Sequence, residues 1–153
     1  MKTFETIKDI LDNTQHFHHY AANFYQDMDE RSSNQRTKML LSYMHKHHKE
    51  AAAELTRFIE GTSDAILKTW VKITLEKSPE DFFNHLSFHD DMTHEEVGSL
   101  GQQVDAYLVS VFDDLREIAS TGETQEIFQN LMEMEMAIKR RLSQAVNSLL
   151  REM

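Results

Sequence analysis

A chain of 153 residues with 40 % apolar and 27 % charged residues is expected to form a single domain, 1–153, with a core of its own. The net charge of −10 argues against nucleic acid and anionic membranes as partners and favours cations, metal ions included. The absence of cysteine excludes disulfides, thiolate metal sites and thiol nucleophiles. With no signal-type or membrane-spanning apolar run, the expected location is cytoplasmic.

Four glycines and one proline predict a mostly helical chain. The first helix is expected from about Thr3 to Glu30, with Ile7, Leu11, Thr14, His18, Ala21, Tyr25 and Met28 on one stripe. The polar break Arg31–Asn34 offers Ser32 or Ser33 as the next cap. A break that short makes its two helices antiparallel neighbours. The second helix, about Asn34 to Glu60, ends at Gly61. Its stripe is Leu41, Met44, His48, Ala51, Leu55 and Phe58, with His45 beside His48 and one turn before it.

Residues 61–93 read as a long connection with helices of its own. Ser63–Asp64 starts one that carries Ala65, Ile66, Leu67, Trp70, Val71, Ile73 and Leu75. Ser78–Pro79 starts another that holds Phe82, Phe83, Leu86 and Phe88. Thr93 to Glu96 matches a capping box, and Val97, Leu100 or Gly101, Val104, Leu108, Val111 and Leu115 continue a third long helix. Thr121–Gly122 ends it. The fourth, about Glu123 to Arg151, turns Ile127, Phe128, Leu131, Met134, Ile138 and Leu142 inward.

From Ser78 to Leu115 there is no Lys or Arg, while acids and His85, His89 and His94 are frequent. Such a surface suits a solvated acidic face, a collector of divalent metal or a sensor of mild acid. Neighbouring residues on a helix diverge by about 100°, which places His16, His19 and His47 on the surface. His85 and His89 have the spacing of a ligand pair, but Lys49 stands where a hemerythrin-type partner acid would follow His45.

The order hairpin, crossover, hairpin fits an all-α bundle of two antiparallel hairpins, 3–60 and 94–151, joined by a partly helical connection. Four stretches of it resemble the rubrerythrin-like branch of the ferritin-like superfamily. HHYAANFY puts His18, Ala21, Phe24 and Tyr25 where that family has Glu, Ala, Phe or Arg, and Tyr. HKEAAAEL puts His48 and Ala51 at the family's Glu and His. IFQNLMEMEMAIKRRL matches at Glu135 and Leu142, with Ile138 in place of His, and Asp105 stands for a Glu seven residues before Phe112. The resemblance implies a ferritin-like four-helix bundle whose di-iron motif is degenerate.

Two readings follow from it. In one, His18, His48, Asp105 and Glu135 form a metal-free polar core in a non-catalytic protein that dimerises or binds a protein partner. In the other, those four residues, with His45 as a spare, hold one Fe, Zn or Mn ion, and the protein has metal-handling or oxidoreductase activity. The apolar faces and the block Trp70, Phe82, Phe83 and Phe88 point to a homodimer.

Overall fold

The computed structural model describes residues 2–74, 79–86 and 88–151. The chain opens as a strand, where a helix was expected. β1 (Lys2–Thr6) pairs antiparallel with β2 (Trp70–Thr74), Phe4 opposite Lys72 and Thr6 opposite Trp70. Residues directly opposite share a face, so the ribbon buries Val71 inward and leaves Phe4 and Trp70 more than 60 % exposed. The short run of Trp, Val, Ile and Thr, paired with a second strand rich in Thr and Phe, favours the pleat over the expected helix. Leu75 and Ser78, expected as a helical core residue and a cap, lie outside the described residues.

Helix α1 (Ile7–Arg31) starts at Thr6, whose hydroxyl accepts from the Asp9 N–H at 3.1 Å. The Asp9 carboxylate accepts from the Thr6 N–H in return, completing a capping box. Asn34 caps α2 (Gln35–Glu60) by accepting from the Thr37 N–H at 3.1 Å, so neither Ser32 nor Ser33 plays that part. Helix α3 is only Asp64–Leu67, and α4 is Pro79–Asn84. Thr93 and Glu96 form the anticipated box at the start of α5 (His94–Ile118). Thr121 accepts from the Thr124 N–H at the start of α6 (Gly122–Arg151).

The four long helices pair as α1 with α2 and α5 with α6, and α2 contacts both helices of the second pair. Thr37, in the first turn of α2, donates its hydroxyl to the Met92 carbonyl at 3.1 Å, just ahead of α5. The connection 61–93 therefore returns along the length of α2, and α5 starts at the same end as α2. Gly101 makes the approach of α5 possible. A Cβ there would stand 2.7 Å from both the Leu142 and Met44 methyl groups. Among the described residues no helix is long and apolar enough to cross a membrane.

The apolar interior falls into two clusters. Ile7, Leu11, Leu55, Val71, Phe112 and Phe128 belong to one, beside the ribbon. Phe17, Tyr25, Leu41, Met44, Val97 and Leu142 belong to the other. Phe83 and Phe82 of α4 close the second cluster. Phe82 stacks on Tyr107 at 4.2 Å between ring centroids, and Phe83 lies 4.9 Å from Phe24. These two aromatics are thus used within the molecule, Phe88 meets Phe24 edge-on while staying part-exposed, and Trp70 stays exposed.

Candidate functional site: a buried carboxylate–imidazole layer

Within this apolar interior, each long helix contributes one side chain to a polar layer. His18 comes from α1, His48 from α2, Asp105 from α5 and Glu135 from α6, and none is more than 3 % exposed. His18 and His48 sit in the helical stripes that the i, i+3, i+4 spacing defines, so helix formation alone turns them inward. Asp105 follows Gly101 by one turn, and at Gly101 side chains of α2 and α6 press against α5. Glu135 sits between Leu131 and Ile138, both buried.

The four side chains meet in a line. Glu135 Oε1 lies 2.8 Å from His18 Nε2, and His18 Nδ1 lies 2.8 Å from His48 Nδ1. His48 Nε2 faces Asp105 Oδ1 at 3.5 Å, an ion-pair contact too long for a well-formed hydrogen bond. Both nitrogens of His18 are thereby engaged. Among the described residues no three His, Asp or Glu side chains converge on one point. The spare residue His45 is turned elsewhere, its Nδ1 donating to the Ala22 carbonyl at 2.8 Å.

The contacts allow two hydrogen counts. If both carboxylates are ionised and every contact holds one hydrogen, three hydrogens are shared and the four side chains keep one net negative charge. With only the two hydrogens of two neutral imidazoles, the first two contacts are filled and the His48–Asp105 gap has none. Burial pushes the His48 imidazole below its usual pKa, in opposition to the Asp105 carboxylate, which favours the charged ring.

Several oxygens around the layer lack hydrogen-bond partners among the described residues: both of Asp105, Oε2 of Glu135 and the Tyr25 hydroxyl. Tyr25 is fully buried, with its ring centroid 5.6 Å from that of His48. Burial, and then the charge of Asp105, holds its phenol well above the usual tyrosine range. Ala51 and Ile138, one turn beyond His48 and Glu135, are buried and supply no donor. Thr14 spends its hydroxyl on the Ile10 carbonyl.

His47, expected on the surface, is buried. Its ring stacks on Tyr43 at 5.5 Å, and burial followed by repulsion from His48 and Arg141 lowers its pKa. The signal was the wide apolar face of α2, which a one-stripe reading narrows. Tyr25 was placed in the core but not in the layer; its position seven residues after His18 was the sign that the two share a face. The histidines of the acidic span lie away from the layer. His85 donates to the Asp81 carbonyl, and His89 contacts Glu96 at 3.1 Å in the open.

The Glu135–His18–His48 part of the layer can hold hydrogens in a fixed line, shielded from solvent. Its unpartnered oxygens are electron-pair donors available to a cation. No protein-family model, no curated protein and no solved structure matches this chain.

Proposed function

We propose that this chain is a degenerate, rubrerythrin-like member of the ferritin-like superfamily. It is a cytoplasmic, non-catalytic bundle that works as a homodimer or as a protein's binding partner. Support comes from the crossover along α2 and from one polar residue per long helix at a single level. A di-iron centre does not fit that level. Two bridging carboxylates must hold irons about 3.5–4 Å apart, yet imidazoles occupy positions 18 and 48, and Ala51 and Ile138 replace donors.

The observation that carries the reading is the double engagement of His18, which binds Glu135 with one nitrogen and His48 with the other. A side chain so held joins α1, α2 and α6 and fixes their relative register, the role for which buried polar groups are best attested. The test replaces the layer as a whole, with His18→Leu, His48→Leu, Asp105→Val and Glu135→Leu together. The expected product is helical by circular dichroism, as stable as the parent and dimeric in sedimentation velocity. A variant that loses its dimer while keeping its helices would overturn the non-catalytic binding reading.

A second reading, one divalent metal ion in the layer with metal-handling or oxidoreductase activity, is favoured by the orphaned oxygens of Asp105, Glu135 and Tyr25.

A further inference from the structure

The ribbon leaves one row of backbone groups without partners. Where the two strands meet the rest of the chain, the Ile7 N–H donates to the Thr69 carbonyl at 3.0 Å. In an antiparallel pair, bonded and non-bonded residue pairs alternate. Ile7 and Thr69 are a bonded pair, so Glu5 and Val71 are the next, and Thr6–Trp70 and Phe4–Lys72 are non-bonded pairs. The N–H and C=O groups of those last four residues therefore point away from the partner strand, to the two outer edges. On the β1 edge the Asp9 carboxylate takes the Thr6 N–H at 3.2 Å. On the β2 edge no strand pairs with Trp70 or Lys72 among the described residues.

The side chains beside that edge are unlike the rest of the surface. Phe4, Thr6, Trp70 and Lys72 share the outer face, and none is acidic. Phe4 and Trp70 are the most exposed large apolar residues described. Glu5, the acid of the two strands, stands opposite Val71 on the inner face. Lys72 is exposed and has no ion pair among the described residues. Two copies of a chain with net charge −10 repel where their carboxylates meet. Across this face they approach without that contact.

We propose that the outer edge of β2 docks a second copy of this chain, strand against strand, in one continuous sheet of order β1, β2, β2, β1. The inference rests on the homodimer reading above and gives it an interface. A twofold axis at Val71 sets Trp70 opposite the partner's Lys72, and Lys72 opposite the partner's Trp70. Both pairs then exchange their outward N–H and C=O groups as bonded pairs. Each ammonium also lies against an indole, so the patch is complementary to itself in charge. An axis at Lys72 would set like charges opposite each other, which selects the first register. Val71 in the core and the Ile7–Thr69 bond hold β2 on the bundle beforehand, so little ordering is left for docking.

Trp70 is the one tryptophan of the chain and reports on its own surroundings. The full chain is followed through a dilution series by sedimentation velocity and by tryptophan emission. A dimer is expected, and its dissociation should shift the emission to the red as the indole returns to water. Lys72→Glu should raise the dimer dissociation constant about 10-fold or more, while Lys72→Arg keeps the cation and should stay within about threefold of the parent. Lys72→Pro removes an N–H that β1 does not use, so circular dichroism should stay helical while the dimer is lost. Met39→Ser and Phe88→Ser, exposed at the other end of the bundle, should dimerise as the parent does.

A parent that is monomeric at every concentration overturns the homodimer reading and this interface with it. A dimer that Lys72→Glu leaves intact, or whose emission stays fixed through dissociation, overturns the interface alone. Dimer loss caused by Met39→Ser or Phe88→Ser does the same. Should Lys72→Pro fail to fold, Lys72→Glu decides.

Discussion

His18 shows how much one side chain can depend on its partners. It is the only hydrogen-bond donor that reaches Glu135 among the described residues, and Glu135 is fully buried. His18→Leu should therefore cost about 3–5 kcal/mol in urea unfolding, far more than the loss of the imidazole's own packing, because it strands a buried carboxylate. A cost below about 1 kcal/mol would mean that Glu135 finds water or another donor. Acid should act at this scale too. Burial lowers the pKa of both His47 and His48, so the unfolded chain takes up protons near pH 6.5 while the folded one resists. Stability of the metal-stripped protein is thus fully present above about pH 6.5 and falls as pH drops below it, as melting temperatures from pH 7.5 to 5 will record. Melting temperatures unchanged across that range would contradict buried, uncharged rings. In the sequence, His18 and His48 were legible because helical spacing alone puts them on an apolar stripe. His47 was not, since its burial depends on how wide a face Tyr43 helps to cover, a property of packing and not of period.

The helices owe their limits to local chemistry and their closeness to small residues. Thr6 with Asp9 and Thr93 with Glu96 define two helix starts through reciprocal bonds. The second was readable beforehand because an uninterrupted helical stripe followed it. The first was obscured by Thr3 and Phe4, which fit a helix start as well as a strand until a partner strand exists. That partner, Trp70–Thr74, lies more than sixty residues away, and pairing over such a distance leaves no trace in local spacing. Leu67 is the last helical residue before it, and Val71 turns into the core on the pleat. Gly101 carries the clearest prediction for an element. Gly101→Val would drive branched methyls into Leu142 and Met44, one turn from Asp105. The expected cost is about 1–3 kcal/mol, reduced to the extent that those flexible side chains give way. A stable variant with unchanged near-ultraviolet dichroism would show that α5 is less tightly docked than this.

At the scale of the molecule, the apolar interior encloses a polar layer to which every long helix contributes. An apolar layer would bind the helices more tightly, so the polar one matters for the arrangement it enforces, since only one register of four helices brings Glu135, His18, His48 and Asp105 into line. The coarse plan of two hairpins and a long return was readable from glycine, proline and capping residues. The order of contacts inside the layer was not, because spacing gives the face of a helix but not the rotamer of a ring. The most direct test of that order is nitrogen-15 NMR of the metal-stripped chain labelled in its histidine rings. A hydrogen bond from His48 to His18 predicts a through-bond coupling between their two Nδ1 nuclei and a hydrogen protected from exchange with solvent. Two uncoupled rings whose hydrogens exchange freely with solvent would contradict the layer.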